Sequence, residues 1–265
     1  LSMALIANSD AHFDVHMNVA GPDLQCQDCH VFQSHKTIGK GSDLRPTDDI
    51  SRGAELTCSN SNCHVDMDSG SGHASAGRAT EPDRHIDRVA CQSCHIPTFA
   101  KHETEIHRDW RFHHDGTDAS TCDNGNDCPG HPHVDKGSNL VPELKFWNRL
   151  SDNYLLGDDA ALTYDAAKDT YPTSRPLGDV FASDPLQGGK LTPFKYKTAD
   201  QPMVTADKVM IALDTLEYLK ITGDLELSIE SGLANQGYSP AEPYEWIVTD
   251  TYQMINHGVN PASAV

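Results

Sequence analysis

Sustained hydrophobic periodicity is confined to the last third of the chain. Residues 191–198 alternate loosely between apolar and polar side chains, which predicts a strand. Apolar residues recur near helical spacing over residues 205–220, which predicts a helix there. The run TDTYQMINHG, residues 249–258, predicts a short helix that ends at Gly258.

The rest of the chain shows little periodicity and is rich in glycine, serine, aspartate and proline, which favour loops. We therefore expect a mostly irregular fold with short α-helices and few strands. Three regions follow from the pattern. Residues 1–107 hold cysteine and histidine motifs, residues 108–190 are a polar, loop-rich insertion, and residues 191–265 are a helical region with a single histidine, His257.

Composition adds a second constraint. Only 37% of the residues are hydrophobic, so the chain needs a source of cohesion besides its own core, and a bound cofactor can supply it. The formal net charge of −19 disfavours nucleic acid and anionic membrane surfaces as partners. No apolar run reaches the length of a membrane span.

Three cysteine–histidine motifs carry the candidate chemistry. Two of them read C-x-x-C-H and one reads C-x4-C-H, and in each a histidine directly follows the second cysteine. This is the attachment pattern of haem c, in which two thiols add to the porphyrin vinyl groups and the histidine ligates the iron. Zinc sites and redox sites also use cysteine pairs, but neither requires that histidine, so a zinc-binding module is the weaker alternative. The three sets are Cys26, Cys29 and His30; Cys58, Cys63 and His64; and Cys91, Cys94 and His95.

A fourth cysteine pair differs from the other three. Five residues separate Cys122 from Cys128, and Pro-Gly stands before His131. A disulfide that closes an acidic loop and a fourth haem both stay open for this pair. The loop also offers the oxygen ligands that calcium prefers, so a calcium ion is a further alternative. Haem attachment and a disulfide both indicate export, to the periplasm or the extracellular space.

The histidine count predicts the remaining iron ligands. The chain has 15 histidines against six methionines, so we expect bis-histidine ligation, which gives lower potentials than histidine–methionine ligation. If residues 10–17 formed a strand, its alternation would place His12 and His16 on one face.

Three stretches resemble the octahaem tetrathionate reductase family of multihaem cytochromes. They are CQDCHVFQSHKTIGKGSDLRPTD, RHIDRVACQSCHIPTFAK and PYEWIVTDTYQMINHGVNP. The resemblance implies stacked haems in a mostly irregular fold with helices, and a C-terminal region that contributes a haem ligand. As distal ligands it implies His16, His35, His73, His85 and His257.

The chain departs from that family in two respects that bear on function. It has three clear haem motifs rather than eight, and the family's catalytic haem with its lysine ligand has no recognisable counterpart. We therefore expect electron transfer rather than catalysis. The alternative is a multihaem reductase of small sulfur or nitrogen oxyanions with one open haem site.

The expected partners follow from electron transfer. They are redox proteins or extracellular electron acceptors, and other copies of the chain. A head-to-tail contact that does not close into a ring gives an open filament, so a conductive homopolymer is the expected form of self-association.

Overall fold

A mixed seven-stranded sheet dominates the described structure. The computed structural model describes residues 10–30, 58–59, 63–64, 67, 72–77, 80–111, 130–178 and 189–265, and the backbone of 32–33 and 36–37. The short strands β1 (Phe32–Gln33) and β2 (Lys36–Thr37) pair with each other. The large sheet contains β3 (Thr104–Asp109), β4 (His133–Gly137), β5 (Glu143–Trp147), β6 (Leu150–Asn153), β7 (Tyr171–Leu177), β8 (Lys190–Val204) and β9 (Tyr244–Met254).

Two long antiparallel strands, β8 and β9, form the centre of this sheet. The strand order is β4-β3-β8-β9-β7-β6, and β5 also pairs with β8. Two strands share the edge of β8 that is opposite β9: β5 pairs with residues 190–194, and β3 pairs with residues 198–200. The pairs β3–β8 and β7–β9 are parallel, and the other pairs are antiparallel.

Helices are short outside one element. The α-helices are α1 (Cys26–Cys29), α2 (Gly72–Ser75), α3 (Cys91–His95) and α4 (Leu225–Asn235). Single helical turns of other types cover Pro82–Arg84, Ala160–Thr163, Glu217–Ile221 and Ala262–Ala264. None of the helices in the described part of the chain has the length and apolar character to cross a bilayer.

Helix α4 covers one part of the sheet. Its N-cap, Asp224, accepts a hydrogen bond from the backbone N–H of Leu227 at 3.2 Å. Ile229 and Leu233, one turn apart, are buried on the same face, where they join a cluster with Val204 of β8. Two further clusters lie along the sheet, one around Met203 and Ile247 and the other around Phe194 and Tyr252.

The prediction of few strands was wrong. The strand predicted at residues 191–198 is confirmed, but it is part of the 15-residue β8. Residues 249–258 were expected to be helical, yet most of them belong to β9. Their β-branched and aromatic residues, such as Thr249, Thr251 and Tyr252, favour a strand that pairs with β7 on one side and β8 on the other.

The helix predicted over residues 205–220 was also wrong for most of its length. The chain reverses after Val204, and Met210 forms a bridge back to Met203. Val209, Met210 and Ile211 are buried in succession, which an amphipathic helix would not allow. Only the end of the segment, residues 215–221, is helical.

The predicted division at residues 107 and 190 stays a prediction. Strands of the same sheet come from all three ranges, because β3 begins at Thr104, β4 to β7 lie between residues 133 and 177, and β8 and β9 follow residue 190.

Candidate functional site

Two of the three motifs form a single helical turn. In α1 and α3 the two cysteines are three residues apart, and one turn brings such residues to the same side of a helix. Asp28 stabilises α1 by accepting the backbone N–H of Gln25 at 2.7 Å. All six motif cysteines are exposed, so a planar group can approach each pair.

The C-x4-C-H motif reaches a similar arrangement by a different route. In the first motif the backbone N–H of His30 donates to the Cys26 carbonyl at 2.8 Å. In the longer motif the N–H of His64 donates to the Cys58 carbonyl at 3.2 Å. Despite the two additional residues, the backbone N–H of the histidine therefore still bonds the carbonyl of the first cysteine.

Each motif histidine faces a second histidine from a distant part of the chain. The ring centres of His30 and His257 are 6.0 Å apart, with 35° between the ring planes. Those of His16 and His64 are 6.1 Å apart at 72°. Those of His73 and His95 are 6.4 Å apart at 15°.

This spacing is that of two imidazoles on opposite sides of one metal ion. Metal–nitrogen bonds of about 2 Å on either side, and about 1 Å from each nitrogen to its ring centre, give a separation of about 6 Å. Burial lowers the pKa of His95 and of His257, and their histidine neighbours lower it further, so both rings are held neutral. A neutral ring is the form that binds a metal.

The three histidine pairs lie next to one another. A hydrogen bond between Cys58 and Cys91, which raises the pKa of Cys58, joins the second and third motifs. Burial raises the pKa of Cys29, and the nearby Cys63 thiol raises it further, which links the first and second motifs. The pair His16–His64 therefore lies between the other two.

One buried carboxylate joins two of the facing segments. Asp14 Oδ1 accepts the backbone N–H of His16 at 2.8 Å, and Oδ2 accepts those of Gly258 at 2.7 Å and Val259 at 3.1 Å. Burial alone would raise the pKa of Asp14, but its bonds to the His16 and Gly258 groups lower it to about 2. Asp14 thus holds the backbone beside both His16 and His257.

Lys101 makes a second tie between the same segments. Its Nζ donates to the carbonyls of Phe13 at 3.2 Å and Gly258 at 3.1 Å, and to Asn260 Oδ1 at 2.7 Å. Helix α3 is attached to the same C-terminal stretch, because Gln92 Nε2 donates to Asn256 Oδ1 at 2.9 Å. These contacts bring the N-terminal segment, the third motif and the His257 loop together.

A second buried carboxylate contacts a histidine ring directly. Asp83 Oδ1 lies 2.9 Å from Nδ1 of His73 and also accepts the His73 backbone N–H at 2.9 Å. Its Oδ2 accepts the N–H of Ala74 at 3.1 Å. With Nδ1 bonded to a carboxylate, Nε2 is the nitrogen of His73 that stays available to a metal ion.

A separate cluster of titratable groups lies on the sheet. His107, Asp109 and Asp200 are close enough to hold a metal ion. The Arg111 guanidinium already bonds both carboxylates, at 2.6 Å to Asp109 and 3.2 Å to Asp200. The cluster is therefore an ion-pair network rather than a metal site.

The predicted distal ligands fare differently. His16, His73 and His257 each face a motif histidine, whereas His85 is exposed and has no ring partner among the described residues. Residues 10–17 do not form the strand that would place His12 and His16 on one face, because this segment is a series of turns in which Asp14 caps the N–H groups that follow it. His35, Cys122 and Cys128 lie outside the described residues.

Comparison with known proteins decides the family. The profile of the family described as bacterial cytochrome c matches residues 105–265, which span the sheet and His257. This chain belongs to the bacterial cytochrome c family. The matched range contains none of the three cysteine–histidine motifs, so the match is independent of them.

A solved structure agrees with this assignment. The chain is similar to an octahaem cytochrome c from Shewanella oneidensis, with 25% identity and a TM-score of 0.72. The match covers 99% of this chain and 57% of that chain, so this chain spans little more than half of the octahaem protein's length. It confirms the resemblance to octahaem cytochromes. No curated protein matches the chain.

Membership of the family implies covalently bound haem c, electron transfer, and a location typically in the periplasm or outside the cell. The residues present fit that group, because exposed thiol pairs adjoin histidines whose facing rings have the spacing of two ligands on one metal ion.

Sequence reasoning missed the carboxylates and the lysine that hold the histidines. Asp14 stands two residues before His16, a pattern that can cap a turn, and this was the available signal. Asp83 is ten residues from His73, and Lys101 bonds residues at both ends of the described chain, so neither spacing indicates a contact.

Proposed function

We propose that the chain is an electron carrier that holds three bis-histidine haems c in one row. The irons would lie between His30 and His257, His64 and His16, and His95 and His73. The observation that carries this proposal is the set of three facing ring pairs, all 6.0–6.4 Å apart. Haem c, when bound, exchanges single electrons reversibly, while the chain attaches it, ligates it and limits its exposure.

The facing rings favour a carrier over a reductase. A reductase needs one iron position open to substrate, and each of the three described motif histidines has a histidine opposite it. Asp14 and Lys101 both bond the backbone of Gly258, directly after His257, which opposes withdrawal of the His257 ring. The alternative is a reductase of small oxyanions, and a cyanide-binding haem in the unmodified protein would indicate it.

The charge of the chain supports one class of partner. With a net charge of −19, electrostatic steering would favour donors and acceptors that present a basic docking surface. Self-association into a filament stays a prediction from the sequence, and electron microscopy of the purified holoprotein tests it.

Electron paramagnetic resonance of the oxidised protein tests the ligation. Intact mass is expected to give three haems on the described motifs, all of them low-spin. Nearly parallel ligand planes give rhombic spectra and nearly perpendicular planes give one large-g feature, so the angles of 15°, 35° and 72° predict two of the first kind and one of the second.

A matched pair of variants tests the distal ligands. His257→Ala would open one iron, producing one high-spin haem that binds cyanide. His85→Ala, at an exposed histidine, would leave the spectrum unchanged. A cyanide-binding haem in the unmodified protein would contradict the carrier and favour the reductase.

A further inference from the structure

The three distal histidines differ in how their rings are held. The Nδ1 atom of His73 is 2.9 Å from Asp83 Oδ1, which is a hydrogen bond to a carboxylate. The Nδ1 atom of His16 is 3.6 Å from Asp14 Oδ1, so this contact is longer and weaker than that of His73. Next to His257, the same Asp14 reaches only backbone N–H groups.

The Asp83 carboxylate is held firmly in this position. It lies in the helical turn Pro82–Arg84 and is only 8% exposed. Its two oxygens accept the backbone N–H groups of His73 at 2.9 Å and Ala74 at 3.1 Å, and such bonds favour the charged carboxylate. The His73 ring therefore faces a full negative charge at hydrogen-bond distance.

When a carboxylate accepts a hydrogen bond from the Nδ1–H group of an imidazole, the other nitrogen, Nε2, becomes a stronger electron donor to a metal ion. A stronger donor stabilises ferric iron more than ferrous iron, and hydrogen bonding around the axial ligand is one of the means by which a protein adjusts haem potential. The negative charge of Asp83 acts in the same direction.

We propose, building on the three-haem arrangement above, that Asp83 is a positioning residue that makes the His73–His95 site the haem of lowest potential. Among the three sites in the described residues, this site is at one end, because the third motif adjoins the second through Cys58 and Cys91, and the second adjoins the first. An electron that enters at this end moves towards the other two haems.

A redox titration of the holoprotein tests the proposal. In Asp83→Asn the shape is kept and the charge is lost, so the lowest of the three one-electron steps is expected to move to a more positive potential while the other two stay in place. Asp87→Asn is the matched control, since Asp87 is exposed and four residues further along the same segment. It is expected to move none of the steps.

Two results would overturn the proposal: a lowest step that does not move in Asp83→Asn, or an equal movement in Asp87→Asn. If Asp83→Asn does not take up haem, the unmodified protein still decides. Its near-infrared charge-transfer bands are expected to include one with imidazolate character, and three identical bands would refute the idea. The proposed function fails separately, if the unmodified protein lacks three low-spin haems.

Discussion

The two halves of the molecule are held together by different forces. In the sheet region, the described residues between 104 and 255, three clusters of apolar side chains are buried along β8, β9 and α4. In the motif region, the described residues between 10 and 101, Ile96 is the one large apolar side chain that is fully buried, while Asp14 and Asp83 are buried carboxylates. We therefore expect the sheet to fold by ordinary hydrophobic burial and the motif region to depend on its bound haems.

Preventing haem attachment is expected to produce the largest difference in stability between the motif region and the sheet region. With all six motif cysteines changed to serine, hydrogen exchange in α1 and α3 should accelerate by more than about 100-fold, because the stabilisation from bound ligand is lost. Exchange in β8 and β9 should stay slow, because their core contains no motif residue. Mass spectrometry of exchanged peptides measures both. Equal loss of protection in the two regions would show that they share one source of stability.

Shortening one side chain in the core of the sheet region tests whether apolar burial stabilises that region. Leu233→Ala, at a side chain that is 1% exposed, should lower the free energy of unfolding by about 2–5 kcal/mol, since it leaves a cavity beneath α4. Leu227→Ala in the same helix, at a side chain 42% exposed, should cost less than about 1 kcal/mol. Urea unfolding followed by circular dichroism measures the two. The low-spin haem spectrum of the folded protein should not change in either variant, and a change would couple the sheet core to the haem ligands.

Two glycines with nearly the same φ angle provide the comparison with the smallest expected effect. Gly258 has φ of 88° beside His257, and Gly237 has φ of 87° after α4. Changing either to alanine should cost about 1–2 kcal/mol, because a side chain is strained in this left-handed region. Thermal unfolding is expected to show similar losses for the two variants.

The haem spectrum should separate the two glycine variants. Gly258→Ala disturbs the N–H that bonds Asp14 and so the backbone beside His257, whereas a Cβ at Gly237 meets nothing within 4 Å. Only Gly258→Ala should therefore alter one low-spin signal. An unaltered signal would mean that Asp14 does not position this histidine.

The motifs were predictable because their chemistry is local. Attachment of haem needs two cysteines and a histidine within a few residues, and that spacing is visible in the sequence. The facing histidines were only partly predictable, since twelve positions remained and no local feature distinguishes the exposed His85 from His73. What distinguishes them is Asp83, whose contact with His73 is tertiary.

The sheet was missed for a related reason. Strand β8 is paired on both edges and contacts buried clusters at both ends, so its burial does not alternate, and β5 and β3 divide one of its edges between them. Residues 249–254 carry the β-branched signal of a strand, but Gly258 and the polar residues before it also fit the end of a helix. Pairing with β7 and β8 decides between the two, and that information is not local.

The bond between Asp14 and Gly258 also constrains the order of assembly, since it joins residues 244 positions apart. The first two motifs are synthesised long before the His257 loop exists, and closing so long a span is slow compared with local turns. The His257 ring can therefore face His30 only after the segment that contains His257 has been synthesised and has folded back. If haem is attached to the first motif early, that haem lacks its second histidine until the His257 loop folds against it, and the maturation system would have to protect it until then. The position of His257 in the chain therefore determines how long the first haem stays incompletely ligated.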